Sequence, residues 1–252
     1  MIDNFQGIVL FTRPHREQDG LVKIFTREFG TKMFFIRGLQ KANHSLKKHL
    51  IPLTSHFYTG TINQQGLSFI REAQSIDIYR RLQTDPFLQA HAAYLAQLVD
   101  AAIEDNLADA QLFDFFQQLI EKLNQAEDGW PIHLLAQVQL LARFGVMIDW
   151  QHCQVCGSDQ GKLDFSFVKQ GLICHRHWKE DPKRMHLPTK VVTLVQIFSQ
   201  IRLDQLGKID LSDQTCLDVN NFLLEIYQEW VGIHLKAATY LKQLYASLRQ
   251  ME

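Results

Sequence analysis

Through residue 80 the hydrophobic and polar positions follow a short period. In "LVKIFTRE" the residues Val22, Ile24 and Thr26 alternate with Leu21, Lys23, Phe25 and Arg27, the two-residue repeat of a strand with unlike faces. "FQGIVLFT", "GLVKIFTRE", "TKMFFIRG", "IPLTSHFYTG" and "GLSFIRE" are β-branched or aromatic runs separated by Gly, Asn, His or charged turns. Five short strands in fewer than 80 residues predict a small closed β-barrel.

Near residue 84 the period lengthens to that of a helix. In "TDPFLQAHAAYLAQLVDAAI", Asp85 is placed as an N-cap and Pro86 at the first helical position. Leu88, Ala92, Leu95, Val99 and Ala102 then recur at helical spacing. "LADAQLFDFFQQLIEKL" sets Leu112, Phe115, Phe116, Leu119, Ile120 and Leu123 on one stripe, and "PIHLLAQVQLLARFG" runs from Pro131 to Gly145. After a cysteine-containing segment, "LPTKVVTLVQIFSQIR" and a long run from Ser212 to Arg249 read as helical again. The stripes are expected to bury against one another. The chain is thus expected to be α+β. Its predicted parts are a barrel over residues 1–80, a helical domain in two parts (81–150 and 181–252), and a metal module at 151–180 between them.

Charge divides unevenly along this plan. Residues 1–80 carry 11 Lys/Arg against 6 Asp/Glu, residues 81–150 carry 3 against 10, and the whole chain nets −1. The near-neutral total conceals a basic front and an acidic middle, so a polyanion is expected at the front. The start, "MIDNFQGIVLFTRPH", has an acid where a signal peptide is basic, and its apolar run Ile8–Phe11 is short. No stretch reaches the roughly 20 apolar residues of a membrane helix. A soluble, cytoplasmic protein is the expectation.

The chain's sharpest chemical signal is "CQVCG" at 153–157 followed by "CHRHW" at 174–178. Cys153, Cys156, Cys174 and His177 form C-x2-C, seventeen residues, then C-x2-H. Ligands two residues apart can grip one ion from a tight turn, and Gly157 permits that turn's left-handed step. The stretch "LDFSFVKQGLIC" between them reads as two strands around a Gln170–Gly171 turn. Three thiolates and an imidazole in tetrahedral array favour zinc. His177 keeps the two-residue gap; His175, adjoining Cys174, and His152 are the alternatives for the fourth position. Cys216 falls in register with Val219, Leu223, Ile226 and Trp230 and is expected in a core. Four ligands close the shell, and neither H-x-E nor H-E-x-x-H is present, so the zinc is expected to be structural. GxxxxGK[ST] and GxSxG are absent as well.

Arg13, Arg16, Lys23, Arg27, Lys32, Arg37, Lys41, Lys47 and Lys48 crowd into 36 residues with Phe25, Phe29, Phe34 and Phe35. Aromatics beside cations can stack on exposed bases, but these phenylalanines are expected instead to fill the barrel. The loop "RGLQKANHSLKK" (37–48), dense in donors beyond a strand end, is expected to meet phosphates.

These residues together resemble the RecO family of bacterial recombination mediators. "REQDGLVKIFTREFGTKMFFIRGLQKANHS" is similar to that family's polar turn, strand ending in "FT", Gly and basic loop. "LLARFGVMIDWQHCQVCG" is similar to its helix ending in "LxLLG" with the first cysteine eight residues later, and "GLICHRHW" to its "GLxCxxC". The fourth metal position is His177 where the family writes cysteine. The helix usually written "FELRLL" is "AQVQLL" (136–141), with Gln139 in place of Arg. The resemblance implies an N-terminal OB-fold barrel, a helical body and an embedded zinc module. It also implies binding of single- and double-stranded DNA and annealing of complementary strands. The implied partners are RecR and the C-terminal tail of the single-strand binding protein, with RecA loading as the outcome.

The sequence therefore reads as a non-enzymatic DNA repair and recombination mediator. DNA would contact Arg13, Arg16, Lys23, Arg37, Lys41, Lys47 and Lys48, and zinc would sit on Cys153, Cys156, Cys174 and His177. Two rivals remain open at this stage. One is a zinc-dependent hydrolase or deaminase, which needs an open coordination position and a nearby Glu. The other is a scaffold whose barrel touches only protein.

Overall fold

The structure, a computed structural model, describes residues 2–249. Five strands open the chain: β1 (Asp3–His15), β2 (Asp19–Thr26), β3 (Gly30–Ile36), β4 (Ser55–Thr61) and β5 (Phe69–Asp77). They pair antiparallel in the order β3-β2-β1-β4-β5. A parallel bridge between Phe34 and Ser68 joins the two ends of that order. On either side of it the Phe35 amide donates to the Ser68 carbonyl (2.9 Å) and the Ser68 amide to the Met33 carbonyl (2.8 Å). The sheet thus closes as 1-2-3-5-4-1, an OB-fold barrel.

Alternation fills the inside. Phe5 stacks between Phe34 and Tyr58 at 5.5 Å on each side, with Val9, Val22, Ile24 and Ile36 around them. Phe29 packs against the same core. Phe25 does not, contrary to expectation: it faces outward and meets Phe113 (5.3 Å) and Phe116 (6.4 Å). A strand covered on both sides is apolar on both faces, so its sequence could not say which face was inside. Phe35 also points away from the barrel interior and is half-buried. Lys32 is buried, with its ammonium donating to the Asn63 carbonyl at 3.0 Å; burial lowers its pKa.

Among the described residues seven α-helices follow: α1 (Arg80–Thr84), α2 (Pro86–Ala102), α3 (Ala110–Gln125), α4 (Trp130–Leu140), α5 (Thr189–Gln200), α6 (Asp213–Ile226) and α7 (Lys236–Arg249). Helix α2 starts as its sequence predicts. The Asp85 carboxylate accepts from the Phe87 and Leu88 amides at 2.9 and 3.2 Å, and Pro86 is the first helical residue. Four of its five predicted stripe residues (Leu88, Ala92, Leu95 and Val99) are buried. The long helical run predicted from Ser212 to Arg249 is in fact broken. A π-helical turn, Tyr227–Val231, ends at Gly232, whose φ of +76° few other residue types adopt readily, and α7 starts four residues later.

By proximity the described residues fall into two compact units. The first takes the barrel with α1, α2, α3 and the segment from Leu235 onward; the second is Trp130–His234. In the first, α7 lies along α2, and Tyr245 Oη meets His91 Nε2 at 2.9 Å. Ion pairs hold the barrel to its helices: Arg27 grips Asp114 through two bonds of 2.8 and 2.9 Å. In the second unit α4 is buried on nearly every side, so it shows no amphipathic stripe. Around it pack α5 and α6, with Tyr227 Oη donating to the Gln137 carbonyl (2.7 Å) and His133 Nε2 meeting Asn220 Oδ1 (3.2 Å). Among the described residues no helix is long and apolar enough to cross a membrane.

Candidate nucleic-acid interface and metal centre

The basic loop leaves β3 at Arg37 and is pinned at both ends. The Gly38 amide donates to Asp19 Oδ1 at 2.8 Å, and the Gln40 amide to the Gln18 carbonyl at 2.9 Å, fastening the loop to the β1–β2 turn. Leu39, Leu46 and Leu50 then point into the barrel core. Between these anchors Arg37, Lys41, Lys47 and Lys48 are thrust into solvent, the last two on a 3-10 turn, Lys47–His49. Arg13 and Arg16 are exposed on β1 and the adjoining turn. None of these six cations has an ion-pair partner among the described residues.

Lys23 is different. Its ammonium lies 2.7 Å from Asp100 and 3.0 Å from Asp105, with only 14% of its side chain exposed. Burial acts to lower its pKa, but the two carboxylates outweigh it and hold the ammonium above its ordinary value. This lysine joins the barrel to Asp100 in the last turn of α2 and to Asp105 just beyond it, and cannot reach a phosphate without giving up both partners. Three residues absent from the sequence-based set belong to the same surface: His15, Phe69 and the loop-fastening Asp19. Phe69 is 44% exposed, and its ring lies 6.4 Å from that of Phe35. Its one sequence signal is an aromatic at the start of a strand, which says nothing about exposure.

In the second unit, β6 (Leu163–Ser166) and β7 (Gly171–Cys174) pair from Leu163↔Cys174 to Ser166↔Gly171, and the chain reverses through 167–170. The hairpin rests on aromatic packing: Phe165 lies 5.8 Å from Trp150, 5.0 Å from Phe222 and 5.6 Å from Trp230. Cys174 ends β7. Cys153 is brought beside it because the Gln154 amide donates to the Leu172 carbonyl at 2.7 Å. Gly157, at φ +68°, turns the first knuckle, and its amide closes on the Cys153 carbonyl at 2.8 Å.

The ligand atoms of Cys153, Cys156, Cys174 and His177 all lie within 4.8 Å of one another. Metal–sulfur bonds of about 2.3 Å and metal–nitrogen bonds of about 2.05 Å imply tetrahedral edges of about 3.8 Å (S···S) and 3.6 Å (S···N). Cys156 Sγ to Cys174 Sγ is 3.9 Å, and His177 Nδ1 lies 3.6 Å from Cys153 Sγ and 3.2 Å from Cys174 Sγ. These separations fit one tetrahedral ion. Burial works against ionising Cys153, yet the Cys174, Val155 and Cys156 amides pull its pKa below the ordinary thiol value. Burial opposes ionisation of Cys174 too, and Arg176 overcomes it. The alternatives for the fourth position are otherwise engaged: His152 pairs with Asp149 at 2.9 Å, and His175 lies against Trp178 and Gly161. Cys216 is buried on α6 and is not a member of the cluster. Asp164, an acid between the knuckles, forms an ion pair with Arg184 at 2.9 Å. Gln139 donates to the Phe198 and Ile201 carbonyls at 3.1 and 2.8 Å, satisfying the end of α5.

A closed OB-fold barrel in one unit and, in the other, helices around a cluster of three cysteines and one histidine positioned to hold a metal ion define the class of protein. Comparison with known proteins specifies the family. Residues 1–79 match the family model "Recombination protein O N terminal", and residues 83–238 match "Recombination protein O C terminal". The DNA repair protein RecO of Enterococcus faecalis (strain ATCC 700802 / V583) is 36% identical over 239 residues, 95% of this chain and 91% of that one. The protein of the same name from Lactococcus lactis subsp. cremoris (strain SK11) is 38% identical over 236 residues, covering 94% and 93%. That of Pediococcus pentosaceus (strain ATCC 25745 / CCUG 21536 / LMG 10740 / 183-1w) is 36% identical over 241 residues, covering 96% and 95%. The chain belongs to the RecO family of DNA repair proteins. The relatives' names describe DNA repair proteins.

Proposed function

We propose that this protein binds single- and double-stranded DNA through the barrel, anneals complementary strands and, with RecR, helps load RecA onto strands covered by single-strand binding protein. The observation that carries the reading is a set of six exposed cations without an ion-pair partner among the described residues: Arg13, Arg16, Arg37, Lys41, Lys47 and Lys48. Cations placed this way release counterions from phosphates, which gives affinity without base specificity. Annealing needs no cleft chemistry, because screening two backbones lets complementary bases find each other. The C-terminal tail of the single-strand binding protein is the second proposed partner, and no tail contact is placed on Gln139, which is committed to α5.

Cys153, Cys156, Cys174 and His177 would hold zinc, which cross-links the two knuckles and adds its binding energy to local folding. Four protein ligands leave no position for a reacting water, and Asp164 is held by Arg184, so a hydrolytic role has no support.

The test titrates labelled single strands and duplexes at two salt concentrations, then follows annealing with and without RecR. Binding that weakens steeply with salt supports the reading. Oligonucleotides left unbound at low salt, with and without RecR, would overturn it in favour of a barrel that contacts only protein.

A further inference from the structure

We infer that Phe35 and Phe69, with His15 beside them, form a platform on which unpaired bases stack. This rests on the proposed reading of the barrel as a DNA-binding surface and specifies which part of the ligand the aromatic side chains recognise.

The platform is a product of barrel closure. Residues 35 and 69 lie 34 apart in sequence, and the hydrogen bonds of Phe35 and Met33 with Ser68 set them side by side, rings 6.4 Å apart. On the other flank His15 lies 6.1 Å from Phe35. Leu21, paired across the sheet with both Arg13 and Phe35, supplies the floor. The three rings therefore cross the outside of the barrel from β1 to β5. Phe69 is 44% exposed, which leaves part of its ring open to a ligand.

Charge decides the occupant. Arg13 stands two residues before His15 on β1, and Arg37 two residues after Phe35; both are exposed and lack an ion-pair partner among the described residues. Cations beside exposed rings match a chain of phosphates carrying bases with free π-faces. A duplex offers no such face, because its bases are stacked on each other. The cations therefore serve both forms of DNA, and the rings serve only the single strand.

The experiment compares wild-type protein with Phe69→Ala and Phe69→Trp on three fluorescein-labelled probes of equal length. These are oligo(dT), an abasic single strand with the same phosphates, and a duplex. Phe69→Ala is expected to weaken oligo(dT) binding by about 5- to 150-fold, the weight of one base stack. Abasic and duplex affinities should not change, nor the salt slope, while Phe69→Trp binds oligo(dT) at least as well as wild type. Circular dichroism and the melting temperature check that the exposed substitution leaves the fold intact. Phe69→Ala binding oligo(dT) like wild type would overturn the platform, as would equal wild-type affinity for oligo(dT) and the abasic strand. Those results leave DNA binding standing. Wild-type protein that binds none of the probes overturns the parent reading and the platform with it.

Discussion

Asp19 accepts the Gly38 amide proton at 2.8 Å, so an acid sits at the root of the most basic loop in the protein. Charge alone says that removing it should tighten DNA binding. Geometry says the opposite, since the bond fixes where Arg37 and Lys41 stand. A hydrogen bond of this kind contributes about 1 kcal/mol. Asp19→Ala is therefore expected to weaken single-strand binding about 3- to 10-fold, while Asp19→Asn, which keeps an acceptor oxygen, binds as well as wild type or better. If Asp19→Ala tightens binding, the loop acts as a diffuse charge and its placement is irrelevant.

The loop itself can be counted. If Lys41, Lys47 and Lys48 each neutralise one phosphate, changing all three to Ala should lower the magnitude of the single-strand salt slope by about 2. The loss in affinity should be the same for every base sequence, because phosphates carry none of it. An unchanged slope would remove this loop from the interface even if overall affinity fell.

Lys23 should behave unlike those three. It sits between Asp100 and Asp105, partly buried. Lys23→Ala is expected to destabilise the barrel unit by about 1–2 kcal/mol in denaturant unfolding, between the exposed and buried limits for ion pairs, and to leave the salt slope as it was. A slope that falls by one phosphate with stability unchanged would return Lys23 to the DNA-contacting set.

The contrast among these lysines shows what the sequence could and could not convey. Ligand spacing is local, so Cys153, Cys156, Cys174 and His177 are legible as a set, and Gly157 even announces its left-handed turn. Strand period is local too, and the barrel follows from it. Lys23 looks like any other cation in the basic front because its acidic partners lie 77 and 82 residues away, a distance that only folding closes. Phe25, Phe34 and Phe35 look alike for the same reason: one meets α3, one fills the barrel and one faces outward. The break after α6 is missed because residues on both sides of Gly232 suit a helix, and a lone glycine inside such a pattern is often tolerated.

Metal content should separate the four cysteines three to one. Wild-type protein is expected to carry one zinc per chain by atomic emission. Cys153→Ser and Cys174→Ser should lose it, while Cys216→Ala, buried on α6 outside the cluster, retains it. In hydrogen exchange, metal loss should expose amides of residues 151–180 and leave the barrel strands protected. Barrel amides exchanging in step with the knuckles would mean that the ion supports more than its own unit.

Acid should loosen the barrel before it unfolds by general charge repulsion. His56 lies on β4 between Thr54 Oγ1 (2.7 Å) and His49 Nδ1 (3.4 Å), with Ser75 Oγ 3.0 Å from the latter. Burial, reinforced by His49, pushes the His56 pKa down to about 4 from an ordinary value of 6.5. A histidine whose folded pKa is depressed favours the folded state above its unfolded pKa, and that contribution is lost as pH falls toward the folded value. The melting temperature is therefore expected to fall between pH 6.5 and pH 4. His133, fully buried and pushed to about 3, adds the same trend in the other unit. His56→Gln keeps a neutral polar group in the site and should flatten the decline of the barrel's own transition, followed by exchange of β4 amides. A variant that declines as steeply as wild type over this range would show that His56 is not the group taking up the proton.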